Sequence, residues 1–187
     1  TLTDIILKKL KFMKDFDCYA SVYDTEFKKK CIKNNVKFIE RSKESVTIDG
    51  PAIKIHNYLK FFDHKYVLMI NACFPFLKIS TIRKFINLCI KKKGPCFSVI
   101  ERKNYFLDKN LKPLNFSKKL ETINTKKVDQ VSEFGHILYF FDRNFFLKNG
   151  KYWNWNKVHF IKLKENFETL DIDTEEDFFK ASALWEK

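Results

Sequence analysis

The sequence predicts an α/β protein whose mainly parallel sheet is covered by helices. Three observations lead to this prediction. Segments with apolar residues at helical spacing alternate along the chain with short apolar runs of strand length. The links between them are short, as is typical of helices that connect parallel strands. The length of 187 residues suits one compact domain, so we expect a single domain over residues 1–187.

Helices and strands alternate from the start of the chain. Asp24 or Thr25 is placed to cap the second helix, and Pro51 lies near the favoured first position of the third. The predicted helices cover residues 2–13, 24–34 and 50–62. The predicted strands, each a short apolar run, cover residues 17–23, 36–40 and 66–70.

The second half continues this alternation with one polar interruption. We expect Ser80 to cap a helix that ends near residue 92, and Thr174 to cap the last helix, where acidic residues favour the N-terminus. The polar stretch 117–132 is expected to form an arm or loop and is a candidate dimer interface. The remaining predictions are strands over 96–102, 137–141 and 158–163, a hairpin over 105–116 and the final helix over 174–185.

The composition excludes several classes of protein. The 4 glycines lie too far apart to form a dinucleotide-binding or Walker loop. No apolar run approaches the roughly 18 residues of a membrane helix, and no segment resembles a signal peptide. We therefore expect a cytoplasmic protein without a membrane partner. The 5 cysteines contain no C-x-x-C pair and the 4 histidines lack metal-ligand spacing, so we expect structural roles for them.

The formal net charge of +13 first points to nucleic acid. Of the 36 basic residues, however, only four are arginine, the residue that phosphate and base recognition favour. The short lysine runs at 28–30 and 91–93 lie in predicted amphipathic helices, where a solvated face accounts for them. A basic nucleic-acid-binding module is therefore the least favoured hypothesis, and we expect no specific nucleic acid partner.

Two acidic residues near the C-terminus form the sharpest local feature. Asp171 and Asp173 point the same way if their segment is extended. Carboxylates side by side repel each other unless a cation lies between them, and Mg²⁺ is the usual cation beside phosphates. The alternative is that Asp173 only helps to cap the helix at Thr174, and the pattern favours neither. Asp24, after another strand, has the same ambiguity, and together these acids point to phosphoryl or nucleotidyl transfer.

A second feature follows the strand over 66–70. The loop 71–77 leaves the sheet with Asn71 and then contains a proline turn before the next helix. Ligands of parallel sheets bind beyond the carboxyl ends of the strands, which places this loop and Asp24 at the expected binding edge. Taken alone, such a loop is more ordinarily a well-packed connection.

Several short motifs occur along the chain in an order that resembles a known family. Residues 171–178, DIDTEEDF, are close to a D-I-D-T-x-x-D-hydrophobic pattern, residues 71–78, NACFPFLK, to an N/Q-P-C/T-x-P-hydrophobic loop, and residues 21–26, SVYDTE, to a V-S-T-D-x-E strand end. Weaker matches are 41–42 to an R-P step, 97–99 to an S-V strand and 112–115 to an x-P-L-N hairpin. As an ordered set they resemble the acylneuraminate cytidylyltransferase family, the CMP–sialic acid synthetases and their relatives for other nonulosonic or keto-deoxy sugar acids.

The resemblance implies the three-layer, Rossmann-like fold of nucleotidyltransferases, or nucleotide-diphospho-sugar transferases. It also implies transfer of CMP from CTP to the anomeric hydroxyl of a sugar acid, with release of pyrophosphate, in what is often a homodimer. By resemblance, Asp171 and Asp173 would be catalytic and hold Mg²⁺, Asp24 and Arg41 would contact the nucleotide, and Asn71 would contact the sugar acid. Specificity for the sugar is expected in loops that include the region 132–146.

The sequence departs from the family in one large respect. The family begins with a strand and a basic loop of glycine and serine that cradles the triphosphate, and no such segment is present here. Either the natural protein has a segment before Thr1, or it has lost the loop, in which case we expect little or no transferase activity. Ala72 and Ser42 stand where the family usually has proline. The alternative hypothesis is a non-catalytic member of the same fold that serves as a binding or assembly subunit.

Overall fold

The computed structural model describes residues 1–47, 49–119, 122 and 124–185. The helices in these residues are α1 (Leu2–Phe12), α2 (Thr25–Asn34), α3 (Lys43–Thr47), α4 (Ala52–Ile55), α5 (Ile79–Lys92), α6 (Arg143–Asn149) and α7 (Glu175–Trp185). The strands are β1 (Ala20–Val22), β2 (Phe38–Glu40), β3 (Tyr66–Ile70), β4 (Cys96–Arg102), β5 (Val131–Asp142) and β6 (His159–Leu163). Short 3-10 helices cover Asn57–Phe61, Thr125–Lys127, Trp155–Lys157 and Phe167–Thr169.

The strands form two sheets. In the larger sheet the order is β3-β5-β4-β6, with β5 antiparallel to β3 and β4, and β6 parallel to β4. Three of its strands therefore share one direction, and β5 alone opposes them. The smaller sheet pairs β1 with β2 in parallel. The expected α/β class is confirmed, and both sheets contain parallel pairs. Because β5 lies between β3 and β4, two of the three pairings in the larger sheet are antiparallel.

Buried clusters cover both faces of the larger sheet. On one face Phe85 of α5 shares a cluster with Phe140 of β5. On the other, Phe141 of β5 lies with Phe146 of α6 and Tyr58. Phe140 and Phe141 are successive strand residues and therefore point to opposite faces of the sheet. The sheet is thus the middle of three layers, with a buried cluster on each side. Because burial of such a side chain stabilises the fold by about 1.5–3 kcal/mol, this packing holds the strand ends that carry the candidate site.

Two of the predicted helices differ from the structure, one in its continuity and the other in its start. The predicted helix over 50–62 is divided at His56, whose backbone angles of φ −114° and ψ 35° end α4, and a 3-10 helix then turns Tyr58 into the core. The predicted cap Ser80 is wrong, because α5 begins at Ile79. Lys78 occupies its N-cap position, and the backbone N–H of Lys78 donates to Glu168 Oε2 at 3.0 Å, which fixes the earlier start.

The chain between β4 and β6 also differs from the prediction. The strand expected over 137–141 is part of the longer β5, and α6 follows it directly with Asp142 as its N-cap, whose side chain accepts a hydrogen bond from Phe145 N at 2.8 Å. Part of the predicted arm over 117–132 is tied down, since Asn115 Nδ2 donates to the carbonyl oxygen of Asp129 at 2.6 Å. Leu120, Glu121 and Ile123 of this arm lie outside the described residues.

Two expectations from composition can be compared with the structure. All five cysteines are free thiols, and three of them are buried, as expected for small apolar side chains. Among the residues that the structure describes, no helix is both long enough and apolar enough to cross a membrane.

Candidate active site

Asp171 and Asp173 come together with Cys73 at one edge of the fold. Ile172, between the two acids, is 7% exposed, and its backbone N–H donates to the carbonyl oxygen of Cys73 at 3.0 Å. One carboxylate oxygen of each acid and the Sγ of Cys73 all lie within 4.8 Å of one another. The expected convergence of the two carboxylates is therefore present in the structure, and a thiol that the sequence did not single out joins them.

The start of α7 shows which residues cap this helix. Asp177 N donates to Thr174 Oγ1 at 3.2 Å, and Thr174 N donates to Asp177 Oδ2 at 3.1 Å. This reciprocal pair caps the helix as expected of Thr174, and Asp177 provides the carboxylate. Asp173 is thus not needed for the cap, and its exposed side chain remains beside Cys73.

The electrostatics of this cluster fit a bound cation. Asp171 Oδ1 is buried and has no hydrogen-bond partner among the described residues. Burial raises the pKa of Asp171, and the nearby carboxylate of Asp173 raises it further. Burial and the same two acids raise the pKa of the Cys73 thiol. A divalent cation would give the orphaned oxygen a partner and relieve the repulsion, and carboxylate oxygens are ligands that Mg²⁺ prefers. The residues therefore fit Mg²⁺.

Asn71 lies beside this cluster at the end of β3. Its backbone N–H donates to Ile137 O at 3.0 Å, which continues the pairing of β3 with β5. Its Oδ1 accepts a hydrogen bond from Cys73 N at 3.0 Å and closes a tight turn. The turn thus uses the side-chain oxygen of Asn71 and leaves its amide NH₂ group available to a ligand.

His136 of β5 lies near enough to Asp171 to influence its pKa, with Tyr139 as its hydrogen-bond partner, and sequence reasoning missed both. His136 has a left-handed backbone with φ 48°, and its Nδ1 lies 2.8 Å from the Tyr139 hydroxyl. When protonated, His136 favours the ionised form of Asp171 and so lowers the pKa of that carboxyl. His136 lies in the part of β5 where the pairing with β4 changes register, between the pairs Phe97–Tyr139 and Val99–Phe134. The sequence carries no local signal for this backbone.

Arg41 belongs to a second cluster, beyond the ends of β1 and β2. Its backbone N–H donates to Val22 O at 2.8 Å, and its guanidinium donates to Ser45, at 3.2 Å for the bond from Nε to Oγ. His56 Nδ1 lies 3.0 Å from the Tyr58 hydroxyl. Burial and the charge of Arg41 lower the pKa of His56 to about 4, so His56 is neutral near pH 7 beside a cation.

Asp24 stands at the carboxyl end of β1, where it was expected. It occupies the N-cap position of α2 with an extended backbone, but its side chain makes no capping hydrogen bond. The carboxylate of Asp24 is exposed to solvent. The capping role considered for Asp24 is therefore carried by its backbone position alone, and its carboxylate is available for another role.

Aromatic rings connect the two clusters. The ring centroids of His56 and Tyr152 lie 5.8 Å apart, and so do those of Tyr152 and Tyr139. Tyr139 is the hydrogen-bond partner of His136. Ring contacts thus link His56, whose pKa burial and the charge of Arg41 lower, to Tyr139. The structure brings Asn71, Asp171 and Asp173 into one group, whereas Asp24 and Arg41 lie near the ends of the smaller sheet.

The chain matches no protein-family model and has no significant match among curated proteins. It is similar to several solved structures. One is 4-diphosphocytidyl-2C-methyl-D-erythritol synthase from Anaerococcus prevotii, at a TM-score of 0.69 and 15% identity, with 100% of this chain and 86% of that chain covered.

Two further structures have similar folds. One is a CMP:2-keto-3-deoxy-manno-octonic acid synthetase in complex with CTP, at a TM-score of 0.68 and 8% identity, with 99% of this chain and 87% of that chain covered. The other is a cytidylyltransferase from Leptospira borgpetersenii, at a TM-score of 0.58 and 12% identity, with 95% and 72% covered. At these identities the likeness shows the fold, which is the three-layer, Rossmann-like fold expected from the sequence.

Proposed function

We propose that the protein is a CTP-dependent cytidylyltransferase that transfers CMP to a nonulosonic or keto-deoxy sugar acid, in the manner of the sialic acid enzymes, and releases pyrophosphate. The observation that carries this proposal is that the carboxylates of Asp171 and Asp173 lie close together, while Oδ1 of Asp171 is buried and has no hydrogen-bond partner among the described residues. The fold supports it, because neighbours of similar fold are named for cytidyl products, and one of them was solved with CTP. The keto-deoxy sugar acid in the name of that neighbour supports the class of acceptor.

In the proposed reaction the anomeric oxygen of the sugar acid forms a bond to the α-phosphorus of CTP, while the bond from that phosphorus to the pyrophosphate oxygen breaks. The hydroxyl proton leaves to solvent or to a base. Asp171 and Asp173 would hold Mg²⁺, which when bound neutralises charge on the triphosphate. The positive charge that His136 carries when protonated favours the ionised form of Asp171, against burial and the charge of Asp173, which raise its pKa. The turn at Asn71 presents an amide NH₂ to the sugar acid. Positioning and charge stabilisation of this kind supply most of the rate in phosphate transfer.

The second cluster is proposed to bind the nucleotide. Ser45 holds the guanidinium of Arg41, so this cation is positioned before a ligand arrives. The neutral imidazole of His56 avoids a second positive charge beside Arg41. The exposed carboxylate of Asp24 lies at the same ends of the smaller sheet and can accept hydrogen bonds from the nucleotide.

The arginines outside the candidate site argue against the nucleic-acid hypothesis, because all three contact the protein itself. Arg83 pairs with Asp15, and Arg102 pairs with both Glu133 and Glu165. Arg143 donates to backbone carbonyl oxygens, including that of His64 at 3.0 Å. These three side chains are already engaged, so the basic charge of the surface outside the candidate site comes mainly from dispersed lysines.

The proposal is tested by Mg²⁺-dependent release of pyrophosphate from CTP with a panel of sugar acids. Asp171→Asn and Asp173→Asn should each lower turnover by about a hundredfold or more. Glu175→Gln is the matched control, because it also removes one negative charge, from an exposed residue two positions after Asp173. Turnover near the wild-type level in both aspartate variants would contradict the assignment. Absence of turnover in every protein, with CTP still bound, would favour the non-catalytic alternative. A homodimer through the arm at 117–132 stays a prediction.

A further inference from the structure

We propose that Cys73 is a third ligand of the candidate metal site and that the site therefore binds a thiophilic divalent cation, such as Zn²⁺ or Cd²⁺, more tightly than Mg²⁺. This inference rests on the metal site of the proposed function. It concerns the choice of cation and not the transfer reaction. A site of two carboxylates alone would have no such preference for soft metals.

The backbone fixes Cys73 relative to both acids. Its N–H donates to Asn71 Oδ1, and its carbonyl oxygen accepts from Ile172 N, each at 3.0 Å. Because Ile172 is the residue between Asp171 and Asp173, this second bond sets the register of the thiol against both carboxylates. The main chain of Cys73 is therefore held beside both acids, and the χ1 rotamer of Cys73 then sets the direction of the sulfur.

The distances suit coordination. The three candidate ligand atoms lie within 4.8 Å of one another without an ion. Ligands around a tetrahedral Zn²⁺, at about 2.3 Å for sulfur and about 2.0–2.2 Å for oxygen, lie about 3.5 Å apart, so a small inward movement completes the set. Asp171 Oδ1, buried and without a partner in the described residues, is already placed to accept the ion.

Packing alone accounts for the three buried cysteines better than it accounts for Cys73. Cys31, Cys89 and Cys96 are buried, whereas Cys73 is half-buried and shares its surroundings with two acids. In the part of the chain that the structure describes, Cys73 is the one cysteine that belongs to a three-ligand group of this kind. On binding, the thiol releases its proton to solvent and the thiolate joins two carboxylates. This gives a donor set with three negative charges that favours a soft dication.

The test is a titration of the protein with Cd²⁺, followed by the ultraviolet charge-transfer absorption of a cadmium–thiolate bond. The wild type should show this band with one equivalent of Cd²⁺, and Zn²⁺ should abolish it at concentrations where Mg²⁺ does not. Cys73→Ser should lack the band. Cys18→Ser is the matched control, because Cys18 is the other half-buried cysteine, and this variant should keep the band.

A second variant keeps the test decisive if Cys73→Ser folds poorly. Asp173→Asn leaves the cysteine in place and changes an exposed side chain, and it should weaken Cd²⁺ binding by more than about tenfold. No band in the wild type, or an undiminished band in a folded Cys73→Ser, overturns the proposal. CTP turnover with Mg²⁺, measured in parallel, separates the two claims. Turnover without the charge-transfer band would contradict only the claim that Cys73 is a metal ligand. The band without turnover would contradict only the proposed transferase activity.

Discussion

The backbone N–H of Ile172 donates a hydrogen bond to the carbonyl oxygen of Cys73 at 3.0 Å. This bond joins two segments that are distant in sequence, the turn after β3 and the segment before α7. It brings Asn71, Cys73, Asp171 and Asp173 to one edge of the fold. The candidate site therefore depends on this tertiary contact as much as on the residues that carry the chemistry.

Asp171→Asn should stabilise the protein in the presence of a chelator. Burial and Asp173 raise the pKa of Asp171, so at neutral pH its ionised form opposes folding, and the stability gained by its protonation appears only as pH falls through the raised pKa. The neutral amide removes this cost, and we expect the free energy of unfolding to rise by about 0.5–1 kcal/mol. Unfolding by denaturant in the presence of a chelator measures this change in free energy. A loss of stability would contradict the view that the ionised carboxylate of Asp171 opposes folding.

Arg41→Lys should weaken CTP binding. Ser45 holds the planar guanidinium of Arg41 in place, and an ammonium group cannot reproduce this geometry. We expect the Kd for CTP to rise by about tenfold, which corresponds to about 1.4 kcal/mol. Calorimetric titration gives the value. Arg83→Lys is the control, since Arg83 pairs with Asp15 away from the two clusters. Equal affinities for wild type and Arg41→Lys would remove Arg41 from the site.

His56 should make the fold sensitive to acid. Its pKa falls from 6.5 to about 4 through burial and Arg41, so below pH 6.5 the unfolded chain binds a proton that the folded protein does not. Stability is then fully present above pH 6.5 and is lost as pH falls towards 4, by up to about 3 kcal/mol.

His56→Gln should flatten this dependence, because glutamine does not titrate. Urea unfolding of both proteins at about pH 7 and about pH 4.5 compares the slopes. The same loss of stability in wild type and variant would show that other groups cause the acid sensitivity.

Asn71→Asp should separate the two roles of Asn71. The aspartate keeps the oxygen that accepts from Cys73 N, so the turn should persist, but it replaces the amide NH₂ by a second acceptor and adds negative charge. We expect the KM for the sugar acid to rise by about tenfold or more, because an acidic substrate loses a donor and meets repulsion. Steady-state kinetics with the acceptor varied at saturating CTP tests it, and an unchanged KM for the acceptor would remove Asn71 from the sugar site.

The sequence predicted the pair Asp171 and Asp173 because their relationship is local, two positions apart in a short segment. The strand β3 was predicted to the residue, since five consecutive apolar residues between polar neighbours are typical of a short buried strand. His136 was missed because its place beside Asp171 depends on its left-handed backbone within β5 and on contact with another segment. The N-terminal part of β5 was missed because it is stabilised by cross-strand contacts, such as the stacking of Phe134 on Phe97 at 3.5 Å, which no local pattern reveals.

The central claim is that Asp171 and Asp173 hold a divalent cation against CTP. The most direct measurement is a titration with Mn²⁺, a paramagnetic substitute for Mg²⁺, followed by electron paramagnetic resonance with and without CTP. We expect the wild type to bind one Mn²⁺ more tightly when CTP is present, and the double variant Asp171→Asn/Asp173→Asn to lose this site while it remains folded. Equal binding of Mn²⁺ and CTP by the wild type and the folded double variant would contradict the claim.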